Sequence, residues 1–347
     1  GDGVGSAPLT PVMHAFDVDS TGFNTFQQSV VVRVPATASL HQLTAAVQAL
    51  LDHHDILRAR LTGSAGDRHL EIPEPGSVDA ASCIERVDAS DTATEELRSL
   101  VSAGMRRAQD LLDPAAGEMI RAVWFDAGPD APGRLLLVAH HLVIDGVSWR
   151  ILLPDLAAAW EALTQGRQIT LAPTGTSFRR WSQLLQEEAQ NPVRAKELPL
   201  WTRLLQEPEP LLGGRELDPA RDTLSTAESA SWTLSVDETT PLLTSLPALY
   251  SCGVNDVLLT GLALAFAHWR QSRDMHEHRS LLIDLEGHGR QDITEGIDLT
   301  RTVGWFTSIH PVRLETSTSD RTDGSVGTAL KEVKEQLRAI PDNGIGY

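Results

Sequence analysis

The spacing of apolar residues predicts alternating strands and helices along the first half of the chain. Residues 26–34 are rich in β-branched side chains, which is typical of a strand. In residues 39–51 the apolar side chains recur every three or four positions after Ser39, so the pattern predicts a helix that this serine caps. The apolar run at 135–139 has no polar alternation, which indicates a strand covered on both faces.

The same two periodicities predict further elements along the whole chain. Further strands are predicted at residues 58–61, 119–125, 231–236, 281–286 and 304–314, and further helices at 95–112, 147–163, 177–190, 192–206, 255–269 and 326–339. Residues 208–227 are polar and contain several Pro and Gly, so we expect an exposed loop. Because strands and helices are intermixed in both halves, the predicted fold class is α/β with two lobes. The segment 171–176 marks their boundary, which gives lobes at residues 1–174 and 175–347.

Length and composition narrow the class of protein. At 347 residues the chain is long enough for two hydrophobic cores. The net charge of −18 argues against nucleic acid or an anionic membrane as a partner. No apolar run approaches the roughly 20 residues that span a bilayer, and the first residues lack the basic and apolar segments of a signal peptide. Cys83 and Cys252 lie far apart in sequence, so we expect two reduced thiols in a cytoplasmic protein.

A histidine pair and a carboxylate follow the strand predicted at 135–139. Adjacent residues on a strand point to opposite faces, so one imidazole of His140 and His141 can face a cleft as a base while the other turns into the core. Two satisfied structural histidines are the alternative. A metal site formed by one histidine and Asp145 is disfavoured, because adjacent histidines on a regular strand cannot both face one ion. We therefore predict no metal.

Asp145 and Gly146 form the turn before the next predicted helix. The carboxylate of Asp145 can accept backbone N–H groups at the helix start or pair with an arginine, and we favour these structural roles over direct catalysis. Gly146 is interpreted as permitting a backbone angle that other residues resist. Trp149 is assigned to packing rather than to substrate contact.

A second carboxylate ends the strand predicted at 281–286. Strand alternation puts Glu286 on the polar face, just before the glycine-rich segment 287–289. A half-buried glutamate at a cleft can have its pKa raised, which suits proton donation near neutral pH. A surface carboxylate paired with Arg290 or Arg301 is the alternative that the spacing alone favours.

Five segments together resemble the condensation-domain superfamily of nonribosomal peptide synthetases and, more narrowly, its epimerization domains. Residues 140–146 match the HHxxxDG signature, and its extension to DGVSW is common in the epimerization branch. Residues 286–290 (EGHGR) and 301–307 (RTVGWFT) match that branch's own motifs. Residues 341–347 resemble its PxxGxGY motif, and residues 255–259 resemble the motif that opens a helix of the second lobe. The matches occur in the expected order and span the chain.

Two departures from the pattern affect what the resemblance implies. The first motif usually carries Gln, Trp and Phe, but residues 11–16 have Met13 and Ala15 in that segment. The family also continues for roughly another hundred residues, and its later FNYLG-like motif is absent. The resemblance therefore implies an incomplete C-terminal lobe.

The resemblance implies a chloramphenicol-acetyltransferase-like fold, V-shaped, with the active-site tunnel between its two lobes. The implied substrate is an aminoacyl or peptidyl thioester on the 4'-phosphopantetheine arm of a peptidyl carrier protein, and the implied reaction inverts its α-carbon from L to D. The implied partners are that carrier protein, adjacent condensation and adenylation domains, and the remaining C-terminal part of the same domain. No directly bound cofactor and no metal is implied.

The resemblance also assigns roles to individual residues. It makes His141 and Glu286 the acid–base pair. Support for the active site is assigned to His140, Asp145, Gly146, Trp149, His288 and Arg290, and the channel wall to Trp305 and Phe306. Which member of the acid–base pair removes the proton is left open.

Three rival functions remain open at the level of sequence. A condensation domain shares residues 140–146, but it needs no second proton-transfer group such as Glu286. A non-catalytic relative that recruits a carrier or an oxygenase often lacks the second histidine, which this chain keeps as His141. A plain acetyltransferase that uses free pantetheine is the third, and no feature of the chain requires it.

Overall fold

The computed structural model of the chain describes residues 2–16, 22–64, 66–275, 280–291, 293–317 and 323–347. Contacts between residues divide the chain into two compact units. The first unit consists of Gly1–Asn191 and His288–Ser308, and the second unit of Pro192–Gly287 and Ile309–Tyr347. Each unit mixes helices and strands, which agrees with the predicted α/β class. The lobe boundary at residues 174/175 stays a prediction.

The first unit contains seven strands and six helices in the part of the chain that the structure describes. The strands are β1 (Gly5–Pro8), β2 (Gln27–Val34), β3 (Arg60–Thr62), β4 (His69–Ile72), β5 (Ile84–Asp88), β6 (Ile120–Asp126) and β7 (Gly133–His140). The helices are α1 (Pro11–Ala15), α2 (Leu40–His53), α3 (Ala80–Cys83), α4 (Thr94–Asp110), α5 (Trp149–Thr164) and α6 (Phe178–Ala189). Single 3₁₀ turns stand at Phe23–Thr25, Asp55–Arg58 and His141–Val143.

The strands of the first unit form two sheets, with the orders β2-β7-β6-β5 and β1-β4-β3. β7 is buried almost throughout, as predicted for a strand covered on both faces. Helix α4 packs on the four-stranded sheet through an apolar cluster that includes Phe125. The antiparallel register pairs Gln27 with His140 and Gln28 with Ala139. The start of β2 therefore lies beside the histidine pair.

Local signals set where two helices of the first unit begin. Ser39 caps α2 in a capping box with Gln42, which confirms the cap predicted from sequence. Ser177 caps α6, because its hydroxyl accepts the N–H of Arg180 at 3.1 Å. Arg179 donates hydrogen bonds to the backbone carbonyls of Ser6 and Asp2. These bonds tie α6 to the beginning of the chain, and the helix belongs to the first unit by its contacts.

The second unit contains two strands and six helices among its described residues. The strands are β8 (Ser280–Gly287) and β9 (Ser308–Glu315), and the helices are α7 (Pro192–Ala195), α8 (Leu198–Leu205), α9 (Val236–Leu243), α10 (Ser245–Tyr250), α11 (Val254–Gln271) and α12 (Asp323–Arg338). β8 pairs with β9. Ala263 of α11 and Val333 of α12 pack with Val312 and Leu314 of β9, and Ile283 and Leu285 of β8 join this core.

Three sequence predictions in the second half are corrected by the structure. Residues 231–235 are irregular instead of a strand, and α9 begins at Val236, because Ser235 forms a capping box with Glu238. Trp232 is 88% exposed, so the alternating residues there have no covered face. The predicted helix at 192–206 is split into α7 and α8, and Pro199 stands in the first turn of α8, where its missing N–H is tolerated.

The third correction concerns the strand predicted at 304–314. The strand begins only at Ser308, because the backbone before it is committed to other partners. The N–H and carbonyl of Gly304 each lie 3.1 Å from the hydroxyl of Ser148, and the N–H of Phe306 donates to Asp145 at 3.3 Å. Residues that bond to these side chains cannot also form a strand ladder.

The described helices differ from membrane-spanning segments in length or composition. Taken one at a time, none of them has both the length and the apolar composition needed to cross a bilayer. The segments Val236–Tyr250 and Val254–Gln271 meet the criterion only when they are combined, and they are bent by 104° at their junction.

Candidate active site

His140 is the buried member of the histidine pair. It ends β7 with a fully buried side chain, and its Nε2 lies 2.8 Å from the carbonyl oxygen of Phe23. Its Nδ1 accepts a hydrogen bond from the N–H of Leu142 at 3.2 Å. Nε2 therefore carries the proton, and the ring is neutral. Burial lowers the pKa of His140 to about 4, against the bond to Phe23, which raises it. His140 turns into the core, as expected for one residue of the pair.

His141 stands in a group of aromatic rings. Its backbone N–H donates to the carbonyl of Phe26 at 2.9 Å, which continues the pairing of β7 with β2. The imidazole stacks on the Phe26 ring with 4.7 Å between centroids and 9° between planes, and the Trp305 ring lies 4.6 Å away at 51°. Phe16 stacks on Phe26 and meets Trp305 edge-on. His141 is thus held between aromatic side chains and is half-buried.

A hydrogen-bonded chain of three side chains ends at the His141 ring. The indole N–H of Trp149 donates to Oε1 of Gln28 at 3.1 Å. Nε2 of Gln28 lies 2.9 Å from Nε2 of His141. Trp149 therefore does more than pack, because it is connected to the histidine through Gln28.

Asp145 joins the turn after the histidines to a distant segment of the first unit. Its carboxylate accepts the backbone N–H of Ser148 at 2.7 Å, at the start of α5. The guanidinium of Arg290 lies 3.0 Å from Oδ1 and 3.2 Å from Oδ2 of the same carboxylate. Both contacts expected for Asp145 are present, one to the backbone at the helix start and one to an arginine. Burial lowers the pKa of Arg290, and the Asp145 carboxylate opposes this shift.

The segment around Arg290 is fixed by close packing. The Arg290 guanidinium lies over the Phe306 ring, 4.0 Å from its centroid, and donates to the carbonyl of Thr302. Gly289 has φ +67°, and a Cβ at this position would lie 1.5 Å from the carbonyl oxygen of Phe306. His288 is exposed, and its Nδ1 accepts the N–H of Arg290 at 3.2 Å. Phe306 is buried, so its ring is part of the interior of the first unit.

The structure tests the sequence interpretations of Gly146 and Glu286. Gly146 has no positive φ, and a Cβ there would meet nothing within 4 Å, so the turn does not need a special backbone angle. Asp145 and Ser148 close this turn with side-chain hydrogen bonds instead. Glu286 is exposed on β8, on the polar face that strand alternation predicted, which agrees with the surface carboxylate that the spacing alone favours. Its alternative partners are engaged elsewhere: Arg290 with Asp145, and Arg301 with Asp155.

One cluster in the first unit has side chains of the kind that bind metals. His53, His54 and Asp155 bring their ligand atoms within 4.8 Å of one another. Asp155 already accepts hydrogen bonds from His54 at 2.9 Å and from Arg301 at 2.6 and 2.8 Å. Burial raises the pKa of Asp155, but these two partners outweigh it and hold the pKa below its usual value. A guanidinium on the carboxylate disfavours a second cation there, so we interpret the cluster as structural.

Sequence reasoning missed several residues of the site. Gln28 and Phe26 contact His141, Phe16 stacks on Phe26, and the hydroxyl of Ser148 donates to Asp145. Gln28 lies more than a hundred positions from His141, and only the register of β2 with β7 brings the two together. Ser148 lies within the DGVSW segment, and the local signal for its contact is Asp145, because aspartate side chains readily accept backbone N–H groups in turns.

Comparison with known proteins places the chain in a family. The sequence profile described as Condensation domain matches residues 9–347. The chain belongs to the Condensation domain family. It is 38% identical over 350 residues to a linear gramicidin synthase protein of Brevibacillus parabrevis, with 99% of this chain covered. The match covers 4% of that protein, so the chain spans a small part of this relative.

Solved structures support the same family. The epimerization domain from the third module of tyrocidine synthetase B, TycB3(E), superimposes with a TM-score of 0.83 at 30% identity, covering 100% of this chain and 74% of that one. The first condensation domain of the calcium-dependent antibiotic synthetase superimposes with a TM-score of 0.70 at 18% identity, covering 98% of this chain and 75% of that one. The second likeness supports the fold alone. The resemblance stated from the sequence motifs is thus confirmed, and the fold is of the condensation-domain type.

Proposed function

We propose that this domain epimerizes the α-carbon of an aminoacyl or peptidyl thioester that a peptidyl carrier protein presents on its 4'-phosphopantetheine arm. The observation that carries the proposal is Glu286, which is exposed on β8 inside an EGHGR segment, in a chain that also keeps His141. The likeness to an epimerization domain, with a TM-score of 0.83 at 30% identity, supports it.

The proposed chemistry needs two proton-transfer groups and stabilisation of negative charge. A thioester carbonyl acidifies the α-hydrogen, a base removes it, and an acid returns a proton to the opposite face. His141 and Glu286 are the proposed pair. Because the reaction runs in both directions, each group serves as acid in one direction and as base in the other. Positioned acid–base catalysis of this kind contributes about 10²- to 10⁴-fold, and oriented donors must stabilise the enolate oxygen.

The test is inversion of the α-carbon of an L-loaded carrier protein in deuterated water, measured by chiral analysis and mass spectrometry of the released amino acid. His141→Ala and Glu286→Gln are each expected to reduce inversion to the D form by at least about 100-fold, because inversion needs both acid–base groups. The control is Asp284→Asn, because Asp284 is also exposed and also carries a carboxylate on β8, two residues before Glu286. It is expected to catalyse inversion at the wild-type rate.

Two results would overturn the proposal. Wild-type inversion in Glu286→Gln would remove the carboxylate from the chemistry, and inversion by none of the proteins, wild type included, would remove the function. A loss in Asp284→Asn equal to that in Glu286→Gln would point to the charge of β8 instead of to one acid–base residue.

Condensation is the second candidate, and one observation favours it. The matching family profile is that of the Condensation domain, and the HHxxxDG signature at residues 140–146 is shared by both activities. A condensation domain would join a donor and an acceptor carrier substrate through an amide bond. Supplying both loaded carriers and analysing the products for a dipeptide separates the two activities.

A further inference from the structure

We propose that Gln28 and Trp149 are positioning residues that set the tautomer of His141, with Nε2 as hydrogen-bond acceptor and Nδ1 carrying the proton. The catalytic meaning of this inference rests on the proposed function. Its geometry does not, because all three side chains belong to the first unit.

The orientation of the Gln28 amide follows from the chemistry of its two neighbours. An indole N–H can only donate, so the group of Gln28 that faces Trp149 at 3.1 Å must be its carbonyl oxygen. The amide NH₂ of Gln28 then faces Nε2 of His141 at 2.9 Å. An NH₂ group can only donate, so Nε2 must be the acceptor. In a neutral imidazole the proton is then on Nδ1.

Packing around the His141 imidazole restricts its rotation away from Gln28. Phe26 stacks on the ring with 9° between planes, and Trp305 lies against it at 4.6 Å. The backbone N–H of His141 is bonded to Phe26 as well. A ring packed in this way keeps its edge towards Gln28, whose own backbone is paired in β2 with Ala139 of β7.

The chain of bonds also affects proton uptake. A proton arriving at Nε2 would place an N–H opposite the NH₂ of Gln28. The amide would have to turn over, and its NH₂ would then face the indole N–H of Trp149. Proton uptake at Nε2 therefore costs one of the two hydrogen bonds. For Nε2 to accept a proton from the substrate, the hydrogen bond from Gln28 must first open, so Gln28 influences how readily His141 acts as a base.

The tautomer can be measured directly by long-range ¹H–¹⁵N correlation spectra of the ¹⁵N-histidine-labelled chain. Protonated and acceptor ring nitrogens have well-separated ¹⁵N shifts, and a spectrum of His141→Ala assigns the signals of His141 by their loss. The expected wild-type result is a protonated Nδ1 and an acceptor Nε2. This readout needs no substrate and stays decisive if the proposed activity is absent.

Substitutions at Gln28 and Trp149 reverse or remove the direction of the hydrogen bonds that reach His141. Gln28→Glu keeps an acceptor for Trp149 but offers a carboxylate oxygen to His141, so the proton is expected to move to Nε2. Trp149→Phe removes the donor that orients the amide, so a mixture of tautomers is expected. Gln186→Glu, at an exposed position of α6, adds the same charge and should leave the His141 signals unchanged. Thermal unfolding confirms that each variant is folded, and Trp149→Phe decides the question if Gln28→Glu does not fold.

Kinetics in the loaded-carrier assay provide a second readout. Gln28→Leu is expected to lower kcat about five- to tenfold and to leave KM unchanged. This factor corresponds to the free energy that one hydrogen bond typically contributes. A wild-type His141 with the proton on Nε2 would overturn the inference, and so would a tautomer that stays the same in both Gln28→Glu and Trp149→Phe. Predicted tautomers without any epimerization by the wild type would refute the proposed function and leave the positioning role established.

Discussion

At the scale of single residues, two motif glycines have opposite environments. Gly289 has φ +67° and its missing Cβ would overlap the carbonyl of Phe306, whereas Gly146 has open space and no positive φ. Gly289→Ala is therefore expected to lower the free energy of unfolding by about 2 kcal/mol or more. Gly146→Ala should change it by less than about 0.5 kcal/mol. Denaturant unfolding of both variants checks this, and equal effects would contradict the backbone geometry.

For Asp145 we expect a large loss of stability when its negative charge is removed. Its ion pair with Arg290 is buried, with the two side chains 7% and 9% exposed. Asp145→Asn leaves the guanidinium without its counter-charge, so we expect a loss of about 3 kcal/mol in stability. The exposed pair of Arg180 and Glu187 is the control, and Glu187→Gln should cost less than about 1 kcal/mol.

Thermal unfolding together with the exchange assay tests this structural role of Asp145. A melting temperature that stays at the wild-type value while α-proton exchange is lost would contradict it, because the carboxylate would then act in the chemistry.

At the scale of elements, the end of β7 predicts how stability depends on pH. Burial lowers the pKa of His140 to about 4 from an ordinary value near 6.5. The unfolded chain therefore binds more protons than the folded one between these values, and stability falls as the pH drops through this interval. The full contribution is about 3 kcal/mol, present above pH 6.5 and lost near pH 4.

The measurement is denaturant unfolding of wild type and His140→Gln between about pH 7.5 and about pH 4.5, which spans most of this interval. The variant is expected to start less stable but to lose less on acidification. His41→Gln, at an exposed histidine of α2, is the control and should keep the wild-type slope. Parallel curves for wild type and His140→Gln would show that His140 does not titrate with folding.

Elements with one strong local signal could be predicted from the sequence, and those that depend on distant partners could not. β2, α2 and β7 follow from β-branched runs, a capping serine and continuous apolar residues. The false strand at 231–236 has the right alternation, but the structure gives it no partner among the described residues, and the Ser235 cap starts a helix instead. β9 starts late because the backbone before it forms hydrogen bonds with the side chains of Asp145 and Ser148. No pattern in the local sequence predicts these long-range bonds.

The candidate site was also predicted only in part from the sequence. Motif spacing identified His141, Asp145 and Arg290, and the ion pair of the last two is present. Gln28 was missed, because a lone glutamine in a strand has no distinguishing pattern. Its importance comes from the register of β2 and from the indole of Trp149.

At the scale of the whole molecule, the family and one motif carry different parts of the functional assignment. The Condensation domain profile covers residues 9–347, and the gramicidin synthase protein extends far beyond the segment that this chain matches. The family supports the fold and the histidine signature. Epimerization in place of condensation depends on Glu286, the one carboxylate to which the resemblance assigns a proton-transfer role.

In the proposed function, the domain moves a proton at a stereocentre without forming an amide bond. The most direct measurement is chiral analysis of the amino acid released from an L-loaded carrier protein after incubation with the domain in deuterated water. We predict a mixture of D and L forms that carries one deuterium at the α-carbon. Recovery of only the L form without deuterium, or of a dipeptide when an acceptor carrier is added, would contradict this claim.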